Sequence, residues 1–186
     1  MAVSRSKTWN DLFERFAEFQ ARPCLKASGP DRKRPSKSSV VKRLKRQYEA
    51  DRENLPIYPC DFKQDHLNRL LQRRGITTRS GNKRPDHTSL WHGLYRAIIF
   101  ERDDYCCYFC GRSGEKGIDI NGEGCLALRL ELDHIVPRAT GGHDYKLSNI
   151  RTMCRTCNVA RSRMSEKHFR AELTSLAHEI SKGHSR

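Results

Sequence analysis

Residues 107–110 read Cys-Tyr-Phe-Cys and residues 154–157 read Cys-Arg-Thr-Cys. Between them run Leu132-Asp133-His134-Ile135-Val136-Pro137, then Gly141-Gly142, then Ser148-Asn149-Ile150. Each Cys-x-x-Cys pair offers two thiolates on a tight turn, and two such pairs complete a tetrahedral site with no open position. The pattern points to structural zinc held by Cys107, Cys110, Cys154 and Cys157 in preference to a disulfide framework. A redox dithiol accounts for either pair alone but not for both. Zinc binding then supplies folding energy to a domain too small to rely on its core. Cys24, Cys60, Cys106 and Cys125 stand isolated or out of register.

Just upstream of the Asp-His pair, Cys125 to Asp133 reads CLALRLELD, in which leucines alternate with Ala127, Arg129, Glu131 and Asp133. That period of two predicts a half-buried strand. Gly141-Gly142 marks a turn, Tyr145 to Met153 a second strand or loop, and a short helix is expected from the second cysteine pair. A last helix, roughly 165–182, starts at Ser165 and places Phe169, Leu173, Leu176 and Ile180 on one packing face, with Gly183 beyond its end. The stretch Gly111–Gly124 is longer than a minimal connection and is read as a surface insertion or a substrate-facing loop.

Upstream of residue 100 the composition changes. The chain has 186 residues and a formal net charge of +14 at pH 7. Residues 1–100 hold 22 basic and 10 acidic side chains, whereas residues 101–186 hold 14 and 12. A basic excess confined to one half implies attraction of a polyanion there. The first twenty residues are charged throughout, so a secretory leader is not expected. Apolar runs long enough for a membrane span are absent from the sequence. The protein is expected to be cytoplasmic and bacterial or phage-encoded, with no membrane partner.

Within this half, Trp9, Leu12, Phe13, Phe16 and Phe19 recur at helical spacing over 8–21, behind Thr8 as N-cap with Asp11 three residues on. That amphipathic face is a packing surface and a candidate homodimer surface. Residues 22–39 carry three prolines and several serines and read as a basic linker. Between 22 and 46 there are ten Lys or Arg against Asp31 alone. Neutralising phosphates with such a run releases counterions, so Arg32, Lys33, Arg34, Arg43 and Arg46 are candidate contacts to DNA. Helices are expected over 40–50, over 63–74 and from near Thr88 through Ile98. The second and third of these, joined by a polar basic connection bearing Arg79, Lys83 and Arg84, are compatible with a helix-turn-helix-like reader over 63–98. The run RRGITTRSGNKRP at 73–85 also resembles a segment from the DNA-binding part of large serine recombinases.

Taken in order, Tyr95 to Asp103, the first cysteine pair, Asp133-His134, Gly141-Gly142, Asn149, the second cysteine pair and Asn158 resemble the HNH, or ββα-metal, nuclease family across residues 93–165. The resemblance implies an α+β fold: a zinc-stapled ββα-metal core behind a mainly helical basic N-terminal region (1–92), with a C-terminal helix at 166–186. It implies that Asp133 and Asn158 ligate one catalytic divalent ion, that His134 is the general base, and that Asn149 pins the loop that orients His134. Arg161 stands where relatives often carry a basic residue and is an expected phosphate contact. The third motif residue is Asn158, not a second histidine. An amide oxygen is a harder donor than imidazole, which favours Mg²⁺ or Mn²⁺ at that site.

The expected function is therefore a metal-dependent endonuclease acting on DNA, double-stranded by preference, of restriction or homing type. A structure-selective or nicking nuclease for branched DNA, and a non-catalytic zinc module that binds nucleic acid, remain open beside it. RNA as substrate is open as well.

Overall fold

The computed structural model describes residues 5–21, 35–75, 91–113, 117–118, 124–125 and 129–183. Its helices are α1 (Trp9–Ala21), α2 (Lys37–Asp51), α3 (Gln64–Arg73), α4 (Trp91–Arg102), α5 (Arg155–Arg161) and α6 (Glu166–Gly183). Its strands are β1 (Gly117–Ile118), β2 (Gly124–Cys125), β3 (Leu130–His134) and β4 (Ile150–Cys154). The class is α+β, as expected: a helix-rich chain with a small antiparallel hairpin beside a cysteine cluster.

Helix α1 begins with a reciprocal cap, in which Thr8 N–H donates to the Asp11 carboxylate and Asp11 N–H to the Thr8 hydroxyl, each at 3.1 Å. Its apolar face, Trp9, Leu12, Phe13, Phe16, Ala17 and Phe19, is buried within its own chain. Phe16 and Phe19 meet Phe100 of α4 at ring-centroid distances of 6.0 and 5.7 Å, and Phe19 meets Tyr105 at 5.3 Å. Each buried aromatic contributes roughly 1.5–3 kcal/mol. The face expected as a homodimer surface is thus occupied by intramolecular packing.

Helix α2 starts earlier than expected because Ser36 caps it, its hydroxyl accepting from Ser39 N–H at 3.2 Å. The basic linker loses 37–39 to this helix. On its inner face Gln47 accepts from Leu94 N–H at 2.9 Å and so satisfies a free donor at the start of α4. Gly93 permits that approach, since a Cβ there would lie 3.3 Å from Gln47 Oε1.

Helix α4 is the centre of the fold. Leu94, Ala97, Ile98 and Phe100 join one buried cluster with α1, α2, Leu130, Met153 and Cys154, while Tyr95 and Ile99 join a second with Leu67, Leu71 and Ile150. The connection expected within the helix-turn-helix-like region 63–98 lies outside the described residues. Helices α3 and α4 both form, and α4 is packed on two sides. The larger cluster also crosses the expected boundary at 92/93, so the N-terminal helices and the first cysteine pair share a core.

Strands β3 and β4 pair antiparallel, with Leu130 opposite Cys154, Asp133 opposite Arg151 and His134 opposite Ile150. The strand expected over 125–133 is described only from Leu130, and Cys125 belongs to a separate two-residue ladder with Gly117. Helix α6 docks by Phe169, edge-on to Phe109 at 4.8 Å. Leu173 and Leu176, expected on the same packing face, are 43% and 54% exposed. The physical reason is reach: beyond Phe169 the helix has left the knuckle it packs on.

Candidate active site and metal centre

The hairpin and α5 carry the site. Helix α5 crosses β3 and β4, starting from Cys154 as N-cap, whose sulfur accepts from Cys157 N–H at 3.4 Å. The sulfurs of Cys107, Cys110, Cys154 and Cys157 lie within 4.8 Å of one another, with Cys110 and Cys154 at 3.9 Å. A tetrahedron with Zn–S bonds of about 2.3 Å has edges of about 3.8 Å, so the cluster fits a tetrathiolate zinc site. The thiols also act on one another electrostatically. The Cys154 side chain, helped by backbone N–H groups, pulls Cys107 down to about 4 against its burial, while burial first of all pushes Cys157 up to about 12. A divalent cation in their midst would take the place of those protons.

Asp133 sits at the far end of the hairpin and is 5% exposed. Its Oδ2 accepts from Arg151 Nε at 2.9 Å and its Oδ1 from Arg161. A carboxylate presents about four lone-pair sites; the two arginines use one on each oxygen and leave others for a cation. Arg161 itself is 1% exposed and also donates to the carbonyls of His134 at 3.0 Å and Ile135 at 2.7 Å. Its expected position at a phosphate is not what the structure has. The guanidinium is an internal clamp from α5 to the end of β3.

Asn158 lies one turn before Arg161 on α5 and donates its amide N–H to Glu131 Oε2 at 2.9 Å, leaving its carbonyl oxygen as acceptor. Glu131 also receives Arg155 at 3.0 Å and Arg129 at 3.3 Å. Glu131 and Asp133 share a strand face by the period of two, and α5 covers that face. The face therefore collects carboxylate and amide oxygens together with the arginines that hold them.

His134 is 24% exposed at its side chain, with Nε2 3.9 Å from Asp144 Oδ1. Burial pushes its pKa below the ordinary imidazole value, and the nearby Asp144 carboxylate opposes that shift. A neutral ring can accept a proton. Asp144 is held in turn by Arg138 at 2.9 Å. Asn149 ties this loop together: its Oδ1 accepts from Val136 N–H at 2.8 Å, and its Nδ2 donates to the carbonyls of Val136 at 3.2 Å and His143 at 3.1 Å. The turn needs glycine at two consecutive places. Gly141 has φ +89°, and a Cβ on Gly142 would lie 1.8 Å from the Val136 carbonyl oxygen.

Arg43 and Arg46 are exposed on α2 beside Lys42 and Lys45. Arg96, which donates to the Leu130 carbonyl at 3.0 Å, lies within electrostatic reach of Arg43, Arg129 and Glu131. Arg32, Lys33, Arg34, Arg79, Lys83 and Arg84 fall outside the described residues. Sequence reasoning missed Glu131, Asp144, Arg151 and Glu166. Glu131 was visible as the residue two before Asp133 on the alternating strand, but nothing local marks Arg151 or Glu166.

Residues 107–163 match the family model for HNH endonuclease, a segment covering fewer than a third of the 186 residues. No curated protein and no solved structure gives a significant match to the chain. Among the described residues no helix is long and apolar enough to cross a membrane.

Proposed function

We propose that the protein is a metal-dependent DNA endonuclease whose catalytic core is the segment 107–163 that matches the HNH endonuclease model. The observation that carries this reading is the set of groups gathered inside the matched segment: a four-thiol cluster, a buried Asp133 next to His134, and α5, which binds Asp133 through Arg161 and carries Asn158 on Glu131.

In this reading Asp133 and Asn158 would hold one Mg²⁺ or Mn²⁺, which when bound would offer positive charge to the phosphate and the departing 3′-oxygen. His134, neutral and set at the loop edge, takes the proton of the attacking water. Asn149 keeps the 136–143 backbone in place and with it the direction of the imidazole. Arg151 and Arg161 fix the Asp133 carboxylate rotamer. The zinc site staples the first knuckle to α5 and does no chemistry. The exposed basic residues of α2, Lys42, Arg43, Lys45 and Arg46, support binding of duplex DNA by the N-terminal region. Site choice of restriction or homing type would then come from outside the small core.

A nicking enzyme is the second reading. Burial of the Phe-rich face of α1 removes the surface that would have paired two cores, and one core cuts one strand per encounter.

The test is purified protein on supercoiled plasmid with Mg²⁺ or Mn²⁺, beside EDTA and His134→Ala controls. Discrete linear fragments support the site-specific enzyme, and nicked circles support the second reading. Cutting by His134→Ala at the wild-type rate would refute the assignment of the base. Tight DNA binding without cutting, on branched DNA as well as on duplex, would leave a binding module. Competition between duplex DNA and structured RNA decides the polymer.

A further inference from the structure

Glu166 lies outside the matched segment, in the first turn of α6, yet it reaches the acidic centre of the hairpin through one side chain. Arg151 donates by Nε to Asp133 at 2.9 Å and by NH1 to Glu166 Oε2 at 2.7 Å. Arg151 is 3% exposed and lies over the Tyr108 ring at 4.2 Å and the Phe109 ring at 5.1 Å. Glu166 is held from its other side by Arg170 at 2.7 Å and by the Tyr108 hydroxyl at 3.1 Å. Phe169 on the same helix packs on Phe109. The first turn of α6 is therefore built onto the first cysteine knuckle and onto Arg151, and Arg151 is built onto Asp133.

We propose that Glu166 is a positioning residue for the divalent-metal site, acting through Arg151. This inference rests on the reading of Asp133 as a metal ligand. Two arginines flank the Asp133 carboxylate, and each repels an incoming cation. Glu166 offsets the charge of Arg151 and holds its guanidinium in one orientation, so that one nitrogen fixes Asp133 without drawing the whole fork onto it. Without that partner Arg151 is a buried, half-paired cation with a stronger hold on Asp133. The site is then more positive and its carboxylate less available. Helix α6 thereby completes the site from beyond the nuclease motif.

The experiment is direct Mn²⁺ binding to the full chain, by titration calorimetry or by the loss of free Mn²⁺ signal in electron paramagnetic resonance. The proteins are wild type, Glu166→Gln, Glu166→Asp and Asp133→Asn, with zinc content and far-ultraviolet circular dichroism measured on each. Removing one compensating charge near a divalent ion weakens Mn²⁺ binding about tenfold in Glu166→Gln, at unchanged zinc content. Glu166→Asp, which keeps the charge on a shorter stem, recovers part of the loss. Wild-type Mn²⁺ affinity in Glu166→Gln while Asp133→Asn loses binding would overturn this inference alone. Unaltered affinity in Asp133→Asn would remove the reading beneath it. Loss of zinc or of helical signal in Glu166→Gln would make Glu166 a structural residue and overturn the assignment.

Discussion

Asp133 and Arg151 face each other across the β3–β4 ladder, and Arg151 Nε donates to Asp133 Oδ2 at 2.9 Å with both side chains buried. A buried ion pair of this kind costs desolvation that its Coulomb attraction only partly returns. Its effect is geometric: with Arg161 of α5 on the other oxygen, the carboxylate is held in one orientation toward that helix.

The loop that follows His134 depends on Asn149. Asn149→Ala removes three hydrogen bonds and strands the Val136 and His143 backbone groups they satisfy. These groups belong to partly exposed residues, so about 0.5–1.5 kcal/mol per lost hydrogen bond is the working scale. Chemical denaturation should show the variant less stable than wild type, with cleavage reduced and zinc content retained. Unchanged stability would mean that water replaces the amide without cost.

Cys154 serves three purposes at once, as a thiol of the cluster, as N-cap of α5 and as a member of the main core. Cys154→Ser should abolish stoichiometric zinc and broaden or erase the thermal transition, because metal-binding energy is folding energy in such a site. Zinc by atomic absorption and melting by circular dichroism measure both. A sharp transition at the wild-type temperature would show that the core holds without metal.

Glu166 has a folded-state pKa that burial pushes up but that hydrogen bonds from Arg151 and Arg170 outweigh, lowering it to about 2. Its ordinary value is 4.5. A depressed carboxylate contributes stability that is present above the unfolded pKa and is lost as pH falls through the folded one. The stability gap between wild type and Glu166→Gln should accordingly be full at pH 6, shrink below 4.5, and vanish near pH 2. Urea midpoints across that range measure it, and a gap independent of pH would contradict the pairing.

In the proposed function Arg43 and Arg46 on α2 contact DNA phosphates. Each phosphate contact contributes about 0.9 to the slope of log K against log salt. Arg43→Ala with Arg46→Ala should lower the slope by about 1.8 and leave melting unaltered. An unchanged slope would place the duplex elsewhere.

Metal-knuckle spacing, the Asp-His pair and most helices were legible from residue order, because each rests on local rules. Two thiols must be near neighbours in sequence to share one turn. A 3.6-residue apolar stripe makes a helix whatever it later packs against. The role of α4 was not legible: its pattern resembled any amphipathic helix, and only packing against α1, α2, α3 and the hairpin buried both its sides. The expected partners of Arg161, and the packing of Leu173 and Leu176, failed for a related reason. A long side chain at a helix end can turn inward or outward, and the sequence does not say how far a neighbouring element extends.

Sequence by itself determined the chemistry available: four thiols in two pairs, an acid next to an imidazole, two asparagines, and a basic half. Tertiary structure alone decided which groups meet. Strand register put Arg151 opposite Asp133, the crossing of α5 brought Asn158 to Glu131 and Arg161 to Asp133, and the docking of Phe169 on Phe109 brought Glu166 within 2.7 Å of Arg151. Hydrogen bonds act over about 3 Å, whereas the residues that make these ones lie up to 28 positions apart along the chain, so only the folded backbone could choose among them.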